Sequence, residues 1–319
     1  MSIKQRDVKV LDCTIRDGGL VNNWDFSQAF VRTLYQALSL SGVDYMELGY
    51  KNSPKLHHLP NAGPWAYLTE DLIRETIGEK TNTKLSALVD IGRVDERDIV
   101  HRSESYLDLI RVACYLKDVD KGIDLASKFH ALGYETTLNI MAVSHAKEND
   151  LNEALEVLNE SPVDVVYVVD SFGSLLQRDI EYLVAKFQKF APKKALGIHT
   201  HNNMQMAFAN TLTAIEQGVT FLDASVFGMG RAAGNCPTEL LVSQLHGTRY
   251  DVRPLLEPLE KLFIPMREKV EWGYTIPYAI TGMLDEHPRT AMALRASADK
   301  DKYLDFYEKL TTVEPHTAP

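Results

Sequence analysis

Gly197-Ile198-His199-Thr200-His201-Asn202-Asn203 carries two imidazoles two positions apart, behind a short apolar run. On a strand, successive side chains alternate faces, so His199 and His201 point the same way and can share one divalent cation. Taken alone, such a pair fits two exposed surface histidines equally well. A second stretch, Thr14-Ile15-Arg16-Asp17-Gly18, supplies a carboxylate and a guanidinium. A third, Gly228-Met229-Gly230-Arg231-Ala232-Ala233-Gly234-Asn235, ends in a side-chain amide. Asp17, His199, His201 and Asn235 make a mixed oxygen and nitrogen set. It suits Mn²⁺, the expected ion, or Mg²⁺, Co²⁺ or Zn²⁺, and leaves positions for substrate or water. It has no thiolate, which argues against a structural zinc site. Arg16 beside such an ion suits the charge of an enolate or carboxylate oxygen. Read singly, Arg16 fits a salt-bridge partner just as well, and Asn235 a turn residue.

Residues so far apart in sequence need a scaffold that brings them together. Apolar runs at Val8–Cys13, Val43–Leu48, Lys84–Val89, Leu107–Ala113, Thr136–Ala142, Val163–Val169, Ala195–His199 and Phe221–Ala224 predict strands. Most are apolar at consecutive positions, as strands buried on both faces are. Helical spacing predicts helices over Phe26–Ser41, Asp118–Ala131, Asp150–Asn159, Gln177–Phe190 and Met204–Gln217. This alternation predicts an α/β fold, a (β/α)8 TIM barrel over residues 1–250. A doubly wound open sheet is the competitor, but no glycine-rich nucleotide fingerprint follows the first strand. Residues 251–319 are expected to form a C-terminal helical extension over Pro254–Trp272, Ile276–His287, Pro288–Ser297 and Lys302–Leu310. The tail TTVEPHTAP is expected to be disordered.

Barrel enzymes build their sites where strands end. Closure would make strands one, seven and eight neighbours and let the four ligands converge. Other polar residues at strand ends include Tyr50, Asp90, Tyr115 and Asn139. Glu47, Arg111, Ser144, Asp170 and Ser171 are the expected substrate contacts. Glu47 and Asp170 fit helix caps or partners of Arg111 equally well. The GMGRAAGN loop does not have the spacing of a dinucleotide or P-loop motif.

The chain has 319 residues, 45% of them hydrophobic, and a formal net charge of −10. That charge argues against a nucleic-acid partner, which needs a basic face. No apolar run reaches membrane-spanning length, so no membrane span is expected. MSIKQRDVKV lacks the apolar core of a signal peptide. Cys13, Cys114 and Cys236 are odd in number and far apart, which predicts no disulfide framework and a reducing, cytoplasmic compartment.

TIRDGG at 14–19, HTHNN at 199–203 and LDASVFGMGRAAGNCPTE at 222–239 together resemble the DRE-TIM metallolyases. That family includes 4-hydroxy-2-oxovalerate aldolase, hydroxymethylglutaryl-CoA lyase, isopropylmalate synthase and homocitrate synthase. The segment from His199 to Glu239 is most similar to the aldolase branch. The resemblance implies that Asp17, His199 and His201 bind the metal, that Asn235 matches an amide ligand of the lyases, and that Arg16 stabilises a pyruvate enolate. It implies a metal-dependent lyase (an aldolase) cleaving or forming the C3–C4 bond of a 4-hydroxy-2-oxoacid, with a 2-oxoacid and an aldehyde as partners. An acyl-CoA-dependent lyase or Claisen-condensing synthase is the alternative. The Claisen branch usually follows RDG with Glu-Gln, and this chain has Gly19-Leu20. The aldolases carry a basic histidine two residues after the RDG glycine, where this chain has Leu20. Either another group substitutes, His57, His58, Tyr50 and Lys51 after strand two being the candidates and His57 the one set in the catalytic role, or the substrate is different; for His57-His58 a solvated loop is the alternative. Tyr278 is set against the family's lid tyrosine. A homo-oligomer, and association with an aldehyde dehydrogenase, are the implied assemblies.

Overall fold

The structure, a computed structural model, describes residues 7–245 and 247–312. Among them, eight parallel strands close into a barrel in sequence order. They are β1 (Lys9–Asp12), β2 (Tyr45–Tyr50), β3 (Lys84–Asp90), β4 (Leu109–Tyr115), β5 (Glu135–Met141), β6 (Val165–Asp170), β7 (Ala195–Thr200) and β8 (Phe221–Ala224). β8 pairs with β1, Leu11 opposite Asp223, and with β7 on its other side. Closure removes the open-sheet competitor and makes the three strand ends that carry the motifs neighbours.

The helices are α1 (Thr14–Asn22), α2 (Gln28–Leu40), α3 (Glu70–Ile77), α4 (Val119–Ala131), α5 (Glu148–Asn159), α6 (Gln177–Phe190), α7 (Ala207–Glu216) and α8 (Thr238–Gln244). Beyond the barrel come α9 (Arg253–Pro258), α10 (Ile264–Arg267), α11 (Ile276–Met283), α12 (Arg289–Arg295) and α13 (Tyr303–Thr312). The helical stretch expected over Pro254–Trp272 is interrupted at its prolines and its last helix ends at Arg267. A π turn at Leu259–Phe263 separates α9 from α10, because Pro258 and Pro265 have no N–H for a regular ladder. Thr311 and Thr312, expected in a disordered tail, end α13; residues 313–319 lie outside the described residues. No helix among the described residues is long and apolar enough to cross a membrane. All three cysteines are free and buried.

α1 corrects the sequence reading most. Arg16 and Asp17 do not end a strand; they ride on the first turns of this short helix. The helix runs through Gly18 and Gly19 although glycine is a poor helix former. Packing overrides propensity, because a Cβ on Gly19 would sit 2.0 Å from Cδ1 of Trp24. Trp24 folds over the helix and donates its Nε1–H to the Arg16 carbonyl at 2.9 Å.

Asp12 ties α1 to α8. Its carboxylate accepts from Thr14 N at 3.1 Å and from the Thr238 hydroxyl at 2.7 Å. Burial nevertheless pushes its pKa up to about 6 against an ordinary 3.8, the Thr238 and Thr14 hydrogen bonds only partly opposing. Because the folded-state value is the higher, folding takes up a proton between about pH 4 and 6, and this group's contribution to stability falls as pH rises through that window. Asp12→Asn is therefore expected to gain about 2–3 kcal/mol relative to wild type on going from pH 4 to pH 7. Urea unfolding of both proteins at the two pH values checks this; a constant difference would rule it out.

Inside the barrel, alternate positions of each strand point to the axis. Leu11, Tyr45, Leu109, Val165, Tyr167 and Phe221 form an apolar cluster there, separate from the main core between strands and helices. Two residues further along three of these strands stand Glu47, Arg111 and Asp223, all buried. Gly197 makes room for this layer. A Cβ there would lie 2.5 Å from the Tyr167 ring, which stacks 4.5 Å from the Arg111 guanidinium.

Candidate active site and metal centre

β7 delivers His199 and His201 to the mouth of the barrel, and α1 delivers Asp17 opposite them. Nε2 of His199 lies 3.6 Å, and Nε2 of His201 3.7 Å, from Oδ2 of Asp17. Both rings are oriented through their other nitrogen. His199 Nδ1 is 2.9 Å from Asp223 Oδ2, and His201 Nδ1 donates to the Asp170 carbonyl at 2.9 Å. A carbonyl only accepts, so His201 carries its proton on Nδ1 and turns a lone pair toward Asp17. Asn235 donates from Nδ2 to Asp17 Oδ2 at 2.6 Å.

His201 Nε2 and Asn235 Oδ1 are buried and have no hydrogen-bond partner. Unpaired buried acceptors are costly, and His201 Nε2, facing a carboxylate at 3.7 Å, is one that a cation would satisfy. The ligand atoms of Asp17, His199 and His201 lie within 4.8 Å of one another. The donor set and its orphaned atoms fit a divalent cation, which Asp17, His199 and His201 would hold with Asn235 beside them.

The protonation preferences agree with that fit. Burial alone would raise the Asp17 carboxyl, but Arg16 and the two imidazoles outweigh it and hold Asp17 well below the usual range. Burial, then the nearby Arg231 charge, pushes His201 down to about 3, so the ring is neutral. His199 goes the other way: burial depresses it, but the Asp17 and Asp223 carboxylates raise it above its ordinary value. A positive charge is thus favoured at the point between them.

A closed ring of charges fixes these groups. Arg16 gives Nε to Glu47 Oε2 at 2.7 Å and Nη1 to Asp17 Oδ1 at 3.0 Å. Arg111 bridges Glu47 Oε1 at 3.2 Å and Asp223 Oδ2 at 2.6 Å. Asp223 holds His199, which returns to Asp17. Removing the charge of Asp223 should loosen His199 without removing a ligand. Asp223→Asn is expected to weaken Mn²⁺ binding by about 10- to 100-fold; calorimetric titration measures it, and unchanged affinity would count against the ring.

A cavity of about 80 Å³ opens on this centre, lined among others by Arg16, Asp17, His199, His201, Ser171 and Arg231. Leu20, Tyr50 and Asp90 complete its side toward α1 and β3. A larger groove of about 640 Å³ runs past Tyr115, Lys117 and His145 and contains none of the clustered ligands.

Several expected substrate contacts lie elsewhere. Glu47 and Arg111 sit in the charged layer beneath the mouth and do not line the cavity; their role is to hold Arg16 and Asp223. Asp170 also stays out of the lining. Its carboxylate accepts from Ser174 N at 3.1 Å, and burial pushes it up to about 7. Ser144 turns away to Asp285, at 3.1 Å. Ser171 does line the cavity, its hydroxyl accepting from Ala142 N at 2.8 Å. His57 stands outside the cavity; burial, then Arg93, lowers its pKa. Tyr278, on α11, packs with Ala232 and Ala233 and accepts from Arg295 at 2.7 Å. It too is absent from the lining, because α11 presses on the outside of the loop after β8.

Two residues escaped the sequence reading. Asp223 is a carboxylate inside an otherwise apolar strand, and that mismatch was the available signal. Arg231 was visible in the glycine-rich loop, but nothing in its neighbours revealed that it faces the cavity.

Comparison with known proteins gives a consistent result. A model of the HMGL-like family matches residues 7–261. An oxaloacetate decarboxylase of Mycobacterium tuberculosis is 31% identical over 248 residues, covering 77% of this chain and 72% of that protein. A 4-hydroxy-2-oxovalerate aldolase of Geobacillus genomosp. 3 is 27% identical over 265 residues, covering 82% and 78%. Among solved structures, the N-terminal domain of a candidate aldolase from Bacteroides vulgatus superposes with a TM-score of 0.79 at 28% identity, covering 92% of this chain and 98% of that one. The HMG-CoA lyase of Brucella melitensis shares the fold, with a TM-score of 0.66 at 19% identity, covering 83% and 100%.

Proposed function

The chain belongs to the HMGL-like family of carbon–carbon lyases, and from that premise we propose that it breaks or forms its bond through a pyruvate-type enolate, with a divalent cation held by Asp17, His199 and His201. One observation carries the reading: the unpaired His201 Nε2 faces Asp17 at 3.7 Å, with His199 Nε2 at 3.6 Å from the same oxygen, beside a cavity that Arg16 also lines. When bound, the cation supplies Lewis-acid stabilisation of an enolate. Mn²⁺ is the expected ion.

The chain's own groups divide the remaining work. Arg16 commits Nε to Glu47 and one Nη1–H to Asp17, which leaves Nη2 donors for the oxygen that gains charge as C3–C4 breaks. The charge ring holds it there before substrate arrives. Leu20 and Val169 keep part of the wall apolar and dry.

For a 4-hydroxy-2-oxoacid, the hydroxyl proton passes to a base as the bond electrons enter the enolate and the aldehyde leaves. Asp90 is the carboxylate that fits; burial raises its pKa, with Arg93 opposing, and a raised value suits proton transfer near neutrality. A second reading is favoured by Leu20, which cannot take a proton. β-Decarboxylation of a 2-oxo dicarboxylate needs no such base: C3–C4 breaks, CO₂ departs, the electron pair enters the enolate, and C3 is protonated. The name of the M. tuberculosis relative supports it.

The test supplies Mn²⁺ with either 4-hydroxy-2-oxopentanoate or oxaloacetate, without coenzyme A, and follows pyruvate. Pyruvate from the first supports the aldolase, and enzyme-accelerated pyruvate from the second alone supports the decarboxylase. Turnover only with an acyl-CoA substrate would overturn both. Exposed Met283 on α11 and Leu304 on α13 support a contact of the extension with another subunit, which light scattering can test.

A further inference from the structure

Three arginines stand around the centre, and two are paired with carboxylates. Arg16 and Arg111 each grip two carboxylates. Arg231 is different. It lines the same cavity, yet among the described residues no carboxylate lies within ion-pair distance of it. Its one hydrogen bond runs from Nη2 to the Ser171 carbonyl at 3.0 Å, and its Nε is buried without a partner. Burial draws its pKa below the usual arginine value, the opposite of what happens to Arg16 and Arg111. Arg231 is half-buried, Asp17 acts on it only beyond ion-pair distance, and its buried Nε has no partner; such a guanidinium has donors to spare for an anion from outside the chain.

The loop that carries it is built to hold still. Arg231 O accepts from Gly234 N at 3.0 Å, and Gly234 O accepts from Asn202 N at 2.8 Å. Asn235 bridges to His201, and Ala232 and Ala233 pack under Tyr278 and Ile280. The free donors are therefore presented at a fixed place.

We infer that Arg231 is the specificity residue for a second carboxylate on the substrate, so that the enzyme acts on a compact 2-oxo dicarboxylate rather than a 2-oxo monoacid. This rests on the 2-oxoacid reading above and adds the chemistry of the substrate's far end. A carboxylate matches the planar fork of one guanidinium. A phosphate would need more donors than this cavity offers, since Arg231 is, among the described residues, the one arginine in its lining not already paired with a carboxylate. The small volume, about 80 Å³, suits a short diacid. Both a 4-hydroxy-2-oxo diacid and a β-keto diacid meet these terms, and the turnover assay with each separates them.

Binding is measured with an unreactive, equal-length pair, 2-oxopentanoate and 2-oxoglutarate, by calorimetry on the Mn²⁺-loaded protein. Wild type is expected to bind 2-oxoglutarate about 10- to 100-fold more tightly. Arg231→Met should abolish that preference, the loss falling on 2-oxoglutarate far more than on 2-oxopentanoate, and Arg231→Lys should restore part of it; the melting temperature of each variant reports that it is folded. Equal binding of the two acids by wild type, or a preference that survives in Arg231→Met, overturns the assignment but leaves the 2-oxoacid site standing. Failure of both acids to bind overturns the 2-oxoacid reading and this inference with it.

Discussion

His199→Ala should lose Mn²⁺ and turnover together. In the proposed set the ring would supply one of three ligand atoms, with Nε2 3.6 Å from Asp17 Oδ2, and alanine offers no donor in its place. Affinity should fall by at least about 100-fold, since merely loosening a ligand's support costs 10- to 100-fold. Turnover should fall by roughly a thousandfold or more, because the enolate would lose its principal charge partner. The fold should survive: Asp223 keeps Arg111 at 2.6 Å, so no carboxylate is stranded. Metal titration, turnover and melting temperature measured together make the test sharp. A variant that binds Mn²⁺ normally would remove His199 from the ligand set, and one that merely unfolds would show it in the melting curve.

Arg16→Lys should separate catalysis from metal binding. Lysine keeps a positive charge between Asp17 and Glu47, so neither buried carboxylate is left bare. It cannot reproduce the planar fork that reaches Glu47, Asp17 and the cavity at once. Loss of a preorganised donor to a developing oxyanion costs about 10²–10³ in kcat. Mn²⁺ affinity should stay near wild type, KM should change little, and kcat should carry the loss. Normal kcat would show that Arg16 serves only the ion-pair ring. A fall in metal affinity equal to the fall in rate would show that it acts through Asp17 alone.

How much of this was legible varies with the range of the interaction. The β7 pair was plain, because strand alternation is a local rule and places His199 and His201 on one side. Asp17 was readable as a ligand but not as a helical residue, since Gly18-Gly19 argue against a helix and only Trp24, folded over α1, explains them. Glu47 and Arg111 were read as substrate contacts because they are charged and near strand ends. They lie one layer deeper, a depth set by the stagger of the barrel strands. Tyr278 was set against a lid residue, but α11 turns it toward Arg295.

By itself the sequence determined the barrel, through strands apolar on both faces alternating with amphipathic helices, and it named the candidate ligands, through motifs whose chemistry is local. The tertiary structure decided which charges are already answered. Arg16, Arg111 and Arg231 look alike in one dimension. The barrel brings Glu47 of β2 to both of the first two and Asp223 of β8 to Arg111, and leaves the third facing an open cavity. A missing ion-pair partner is a property of the space around a residue, and that space exists only after distant strands have met.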